Sequence, residues 1–364
     1  MPLHYARITI VGFRSLKRVV LPLGRLTLMI GPNGSGKSNL ISALRLFQAV
    51  RAGELQRQVE EAGGAAALAH NGPKSTELLA LNAWGVKDGH EFGYTVHLGH
   101  ADGDRLHVVN EILGSCEEGD PDGPWTARIP NRAAEESSLD AAAVVGSRWQ
   151  PLFEWLSPIA CFHLQDLSPR SGIRGPALAA DGLALRGDGA NLAACLLRLS
   201  EGEAEQAAWR RITALVHRVA PSVVELCPTR SGAGGELVRL DWIDDQGERF
   251  GADQLSDGTL RALALITVLA QPTAQLPKLI CIDEPELSLH PAALALLVEL
   301  ARSVSRHCQV LFATQSAAFL DVFSPEEVVV VEREGGATVL RRLEVGELDA
   351  WLEVFDKGVI GGRP

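Results

Sequence analysis

The chain lacks paired cysteines, long apolar runs and an excess of basic charge. Its six cysteines are far apart and form no Cys-x-x-Cys pair, so neither a zinc site nor a disulfide framework is expected. The longest apolar candidate, Leu263 to Ala270, has the length of a buried helix segment and not of a membrane span. The first residues contain no basic segment followed by an apolar one. We therefore expect a cytoplasmic protein that does not insert into a membrane.

The charge balance argues against a dedicated DNA-binding domain. The 364 residues carry 34 Lys and Arg against 45 Asp and Glu, a formal net charge of −11. Such a balance favours solubility and lacks the basic footprint that nucleic-acid binding requires. Four basic residues do cluster near the N-terminus, which is typical either of a solvated face or of a local basic strip. They are Arg7, Arg14, Lys17 and Arg18.

Residues 31–38 read Gly-Pro-Asn-Gly-Ser-Gly-Lys-Ser, a complete GxxxxGK[ST] phosphate loop. A strand pattern at 26–30 precedes it, and a helix pattern at 38–50 with a stop at Gly53 follows, which is the context that this loop needs. Lys37 is predicted to contact the β- and γ-phosphates of ATP, and Ser38 to bind Mg²⁺. The predicted nucleotide-binding residues of the loop are Asn33, Gly34, Ser35, Gly36, Lys37, Ser38 and Asn39.

A second motif is an apolar strand that ends in two carboxylates, Ile280-Cys281-Ile282-Asp283 followed by Glu284. Burial of Asp283 requires a cationic partner, so we predict that it binds the nucleotide's Mg²⁺. Glu284 is expected on the opposite face of an extended chain, where it would deprotonate the attacking water. The alternative is that Glu284 only caps the turn before Pro285.

A third motif is the turn Ser256-Asp257-Gly258, which opens a helix over 259–270. Its hydroxyl and its unpaired N–H groups would make a second anion site. One chain cannot place two cradles on the γ-phosphate of one nucleotide without distortion. We therefore predict that this turn contacts ATP held by a second copy of the chain.

The order GPNGSGKSNL, QLSDGTLR, LICIDEPELSLHP and ATQS resembles the RecF/SMC/OLD branch of the ABC-type ATPases, in particular its stand-alone "predicted ATPase" group. The resemblance implies an α/β P-loop NTPase fold of ABC-ATPase type, a mixed sheet with flanking helices, an antiparallel β-hairpin subdomain and a helical insertion. It matches Ser256 and Gly258 to the signature turn, with Asp257 in place of the commoner glycine. Leu289-His290-Pro291 matches the D-loop.

Two further residues take roles from the resemblance. Gln165 is the candidate for the glutamine that senses Mg²⁺, although an ordinary polar loop residue is the alternative. Gln315 stands where many relatives have a histidine that contacts the γ-phosphate. Glutamine can donate a hydrogen bond but cannot carry a proton, so slow turnover is expected. The chain ends about fifty residues after Gln315, too soon for the nuclease domain of OLD proteins, and no nuclease activity is expected.

The pattern predicts one ATPase head formed by residues 1–55 and 250–364, with 56–249 as an insertion. Within the insertion we predict a β-hairpin of 91–98 and 105–112 around Asp102-Gly103, and a loop or short helix in 114–148. The predicted helices are 191–199, 207–219, 259–270 and 291–305. The other predicted strands are 7–11, 237–243, 248–250, 278–283, 309–313, 328–332 and 338–343.

These features predict an ATP-hydrolysing switch that forms a head-to-head homodimer around two ATP·Mg²⁺. By resemblance, its process would be DNA repair, recombination, chromosome maintenance or phage defence, with double-stranded DNA as one candidate partner. The competing hypothesis is a slow or non-hydrolysing regulator that presents a surface to a partner effector protein. A third hypothesis, a subunit of a membrane transporter, fits the motifs broadly but is disfavoured by the hairpin insertion and the Ser-Asp-Gly turn.

Overall fold

The computed structural model describes residues 4–87, 90–117, 127–129, 134–139, 156, 158–232 and 234–356. The chain divides into two compact units. The first comprises Met1–Ala160, Pro277–Cys281 and Gln309–Pro364, and the second Cys161–Leu276 and Ile282–Cys308. The predicted loop or short helix in 114–148 lies largely outside the described ranges. The last eight residues of the chain lie wholly outside them. The predicted insertion bounds 56–249 stay a prediction.

In chain order the strands are β1 His4–Phe13, β2 Leu16–Pro22, β3 Leu26–Ile30, β4 Leu78–Lys87, β5 His90–Ala101, β6 Arg105–Glu117, β7 Ala127–Ile129, β8 Ile159–Phe162, β9 Ala177–Leu178, β10 Glu225–Ser231, β11 Leu237–Ile243, β12 Arg249–Gly251, β13 Leu279–Asp283, β14 Gln309–Thr314, β15 Val328–Glu334 and β16 Ala337–Arg341. The α-helices are α1 Lys37–Ala52, α2 Leu55–Glu61, α3 Leu192–Glu201, α4 Gln206–Val219, α5 Asp257–Ala270, α6 Pro291–Val304 and α7 Val345–Asp356.

A six-stranded sheet with the order β16-β15-β3-β14-β13-β8 carries the phosphate loop at the end of β3. Strands β14 and β15 both pair with β3 in parallel, and β16 closes the sheet as the antiparallel partner of β15. Every residue of β3, β13 and β14 is buried. Buried, largely apolar runs of this kind are typical of strands covered on both faces, and the parallel α/β sheet expected from the sequence is confirmed.

The first unit also contains a six-stranded antiparallel sheet with the order β2-β1-β4-β5-β6-β7. The predicted hairpin is confirmed as β5 and β6, and both strands extend beyond the predicted bounds. Strands β2 and β4 were not predicted. Lys17 and Arg18 interrupt the apolar pattern of β2, and small residues weaken the pattern of β4. Both strands gain their stability from pairing with β1, a tertiary effect that local propensity does not report.

Among its described residues, the second unit contains four α-helices and a small sheet. Helix α5 packs against α4 and α6, and the residues from Leu260 to Ala270 are all buried. Strands β10, β11 and β12 form an antiparallel sheet, to which β9 adds through β11. The predicted helices of this unit are confirmed within two residues at each end. Across the ranges that the structure describes, no helix has the length and apolar character needed to cross a membrane.

Candidate functional site

The phosphate loop connects β3 to α1 in the first unit. The backbone N–H of Gly31 donates to the carbonyl of Thr314 at 3.3 Å, which places Gln315, just after β14, beside the start of the loop. The Lys37 side chain is buried, and its Nζ donates to the carbonyls of Gly31 at 2.7 Å and Pro32 at 2.9 Å. These bonds hold the ammonium against the loop, where the motif requires it to lie.

The other predicted loop residues differ in exposure. Asn33, Gly34 and Ser38 are exposed, and Ser38 lies in the first turn of α1, where its hydroxyl is open to a cation. Ser35 is buried, and its Oγ has no hydrogen-bond partner among the described residues. The Nδ2 of Asn39 donates to Ser15 Oγ at 2.8 Å.

A chain of buried hydroxyls supports the loop from the side of the β15–β16 hairpin. Thr338 Oγ1 donates to the carbonyl of Ser35 at 2.8 Å and lies 2.7 Å from Ser15 Oγ. Because the single Thr338 proton goes to Ser35, Ser15 donates to Thr338 and in turn accepts from Asn39. Gly36 has φ of 112°, and a Cβ there would lie 2.0 Å from Thr338 Oγ1, so only glycine fits.

In the second unit, the carboxylates follow the buried end of β13. Asp283 is 6% exposed, and its Oδ2 lies 3.2 Å from His163 Nδ1. Its other oxygen, Oδ1, is buried and has no hydrogen-bond partner among the described residues. A buried carboxylate oxygen without a donor is costly unless a cation is bound, so the environment of Asp283 fits the predicted Mg²⁺ ligand. His163 was not predicted, and its only sequence signal is its place two residues before Gln165.

The sequence predicted that Glu284 continues an extended chain, and this prediction is wrong. The φ of Glu284 is 50°, in the left-handed region, so the backbone turns at this residue, before Pro285. Such a conformation is uncommon for a non-glycine residue and is found repeatedly at functional sites. The turn brings Glu284 Oε2 within 3.2 Å of Gln165 Nε2, which donates to it. The predicted base and the candidate magnesium-sensing glutamine are thus brought together.

The signature turn begins helix α5. Ser256 is the N-cap, and its Oγ accepts from the backbone N–H of Thr259 at 3.1 Å. The exposed Asp257 pairs with Arg174, with 2.6 Å between Oδ1 and Nη2. A Cβ at Gly258 would lie 2.3 Å from the carbonyl of Ser288, so the turn packs closely on the segment that resembles the D-loop.

A buried arginine links three of these segments. Arg261, on α5, is 4% exposed, and its guanidinium donates to the carbonyls of Leu164 and Leu287. Leu164 precedes Gln165, and Leu287 lies in the segment after Glu284. Burial lowers the pKa of Arg261, and the nearby carboxylates, including that of Glu284, oppose this shift. Arg261 was not predicted, because an arginine in an apolar helix gives no sequence signal of its partners.

The family model described as "AAA domain, putative AbiEii toxin, Type IV TA system" matches residues 168–321, and an "AAA ATPase domain" model matches residues 6–77. No curated protein gives a significant sequence match.

Solved structures of SMC heads share the fold. An SmcHead bound to the C-winged helix domain of ScpA is 16% identical with a TM-score of 0.61, covering 95% of this chain and 99% of that one. The Smc head domain from Pyrococcus furiosus, bound to the C-terminal domain of ScpA, is 15% identical with a TM-score of 0.57, covering 97% and 100%. The head domain from Pyrococcus yayanosii is 12% identical with a TM-score of 0.60, covering 98% and 99%. The chain therefore shares the fold of SMC heads, and two of its segments match models of AAA ATPase domains.

Proposed function

We propose that the chain is an ATP-hydrolysing switch in which two copies meet head to head around two ATP·Mg²⁺. The observation that carries the catalytic part is the contact of Gln165 with Glu284 next to the buried Asp283. A carboxylate held by a glutamine, beside a second carboxylate with one oxygen that lacks a donor, suits a water-activating base next to a cation ligand.

In this proposal the loop N–H groups and Lys37 hold the β- and γ-phosphates, and Ser38 and Asp283 hold Mg²⁺. The ion would neutralise charge on the phosphate oxygens. Glu284 accepts a proton from the water whose oxygen attacks the γ-phosphorus. The bond between that phosphorus and the β,γ-bridging oxygen breaks, which yields ADP and inorganic phosphate.

Two more residues would act on the γ-phosphate. Gln315 lies beside the loop and would donate its amide N–H to this phosphate, without carrying a proton or a positive charge. Ser256 and the open N–H groups at the start of α5 would contact the γ-phosphate of ATP held by the partner copy, since helix N-termini bind anions. Loss of the γ-phosphate would remove this bridge and let the two copies separate.

A Glu284→Gln variant tests the switch, because it retains nucleotide binding and removes the base. We expect it to be monomeric without nucleotide and dimeric with ATP and Mg²⁺ by light scattering, with hydrolysis at least about a hundredfold slower than in the wild type. The matched control is the double variant that combines Lys37→Ala with Glu284→Gln. It should stay monomeric. A Glu284→Gln protein that stays monomeric at saturating ATP would rule out the dimer.

We further propose a cytoplasmic role in chromosome maintenance, DNA repair, recombination or phage defence. The similarity to SMC heads, two of which were solved with a domain of ScpA, supports a protein partner, and the AAA model named for a putative toxin supports the defence role. Direct DNA binding is tested by retention of the Glu284→Gln protein on duplex DNA at low salt. Equal retention with and without ATP would remove DNA from the mechanism.

The second candidate function is a slow or non-hydrolysing regulator whose ATP-bound form contacts an effector protein. The presence of Gln315 where many relatives have histidine favours it. Single-turnover hydrolysis separates the two functions, because a switch must convert its bound ATP to ADP while a pure sensor leaves it intact. Retained ATP in the wild type would support the regulator.

A further inference from the structure

Arg174 is the most extensively bonded arginine near the signature turn. Its side chain is 5% exposed. Nε donates to the carbonyl of Leu167 at 2.8 Å, and Nη1 donates to the carbonyls of Ala252 at 2.8 Å, Asp253 at 3.2 Å and Leu255 at 2.8 Å. Nη2 donates to Asp257 Oδ1 at 2.6 Å. One guanidinium therefore holds the segment on both sides of Ser256 and joins it to the segment after Gln165.

The carbonyl groups that accept hydrogen bonds from Arg174 explain why an aspartate is accommodated in the turn. Asp257 is the first residue of α5, where a carboxylate is favoured by the helix dipole. Its carboxylate faces a planar donor that is already fixed by backbone carbonyls, so little side-chain entropy is lost when the pair forms. A glycine at this position would leave the Nη2 donor without its carboxylate partner.

The geometry points to Arg174 as a positioning residue for the signature turn. It presets the backbone at Ser256 in the conformation that contacts the γ-phosphate on the partner copy, and Asp257 is its counterpart. This inference rests on the proposed head-to-head dimer. The hydrogen bonds of Arg174 go to the turn and to Leu167 and not to the residues proposed to hold the phosphates and magnesium. Its loss therefore weakens dimerisation and hydrolysis while the first unit's phosphate loop still binds ATP.

Lysine cannot replace arginine here. A single ammonium offers three donors and lacks the planar fork, so it cannot reach acceptors as far apart as Leu167 and Asp257. Asparagine at 257 retains an acceptor and loses the charge, which makes Asp257→Asn the milder change. Asp257 is 59% exposed, so solvent screens its charge. Loss of this charge should therefore raise the dimer dissociation constant about threefold for each turn. Because each dimer contains the turn twice, we expect about a tenfold weaker dimer.

The experiment uses the full chain with Glu284→Gln, in which ATP hydrolysis does not interfere. Four further variants are compared: Arg174→Met, Arg174→Lys, Asp257→Asn and the matched control Arg186→Met. The exposed side chain of Arg186 forms long surface ion pairs with Asp181 and Asp188. For each, one measures the affinity of the monomer for a fluorescent ATP analogue, the dimer dissociation constant at saturating ATP, and the thermal unfolding midpoint.

We expect all variants to bind the analogue within about twofold of the parent, since the contacts of Lys37 are unchanged. The dimer should weaken about a hundredfold or more for both Arg174 variants, about tenfold for Asp257→Asn and not at all for Arg186→Met. If Arg174→Met does not unfold cooperatively, the dimer dissociation constant of Asp257→Asn decides whether Arg174 positions the turn.

Two failures are distinguishable. If the Glu284→Gln parent does not dimerise with ATP, the proposed function is wrong. If the parent dimerises and both Asp257→Asn and Arg174→Lys dimerise as well as the parent does, Arg174 has no positioning role. A loss of nucleotide affinity that matches the loss of dimerisation would indicate a general structural role and would also overturn the inference.

Discussion

Replacing Thr338 by valine isolates one hydroxyl in the support of the phosphate loop. Valine has nearly the same shape as threonine, so the 3% exposed site stays filled. The substitution removes the hydrogen bond from Thr338 Oγ1 to the carbonyl of Ser35 and the one that Thr338 accepts from Ser15. The change therefore separates hydrogen bonding from packing.

The magnitude follows from the two groups that each lose one hydrogen bond. The Ser35 carbonyl and the Ser15 hydroxyl both lose a bond in a buried environment, and each unsatisfied group costs about 1–3 kcal/mol. Part of this is recovered if the loop relaxes, so we expect a loss of about 2 kcal/mol in the free energy of unfolding. Because the relaxation displaces the loop N–H groups that would face phosphate, ATP affinity should fall about tenfold, which corresponds to 1.4 kcal/mol.

The assay compares Thr338→Val with Thr338→Ser by calorimetric titration of ATP and by denaturant unfolding. Serine retains the hydroxyl and loses a buried methyl group, which costs about 1 kcal/mol of stability and should leave ATP affinity within about twofold. The two variants thus affect binding differently while both reduce stability. Wild-type ATP affinity in Thr338→Val would refute the role of the hydroxyl chain, as would equal losses of affinity in both variants.

Two other predictions concern buried charge and pH. Arg261→Met leaves the carbonyls of Leu164 and Leu287 without their donor and should lower the free energy of unfolding by about 2–4 kcal/mol, while the exposed Arg218→Met should change it by less than about 0.5 kcal/mol in denaturant titrations. Burial lowers the pKa of His97, so the unfolded state takes up the proton first as pH falls below about 6.5. Stability should therefore decline below that pH, and His97→Gln should flatten the decline; an unchanged pH profile in this variant would contradict the assignment.

Motifs whose function depends on neighbouring residues could be identified from the amino-acid sequence alone. The loop at 31–38 needs only a strand before it and a helix after it, and the apolar strand before Asp283 needs only burial. Helix α5 could be predicted because a helix with a serine N-cap and a largely apolar run leaves few alternatives. The conformation of Glu284 could not, because the left-handed turn depends on the packing around it and not on its residue type.

The side chains that support these motifs are set by the packing of segments that are distant in the chain. Thr338 lies 303 residues from the carbonyl that it binds, and Arg174 lies 83 residues from Asp257. Such contacts follow no period and have no local propensity, because they form only when strands and helices distant in the chain pack together. The sequence thus identified the residues proposed to bind ATP, and the packing of distant segments fixed the residues that hold them in place.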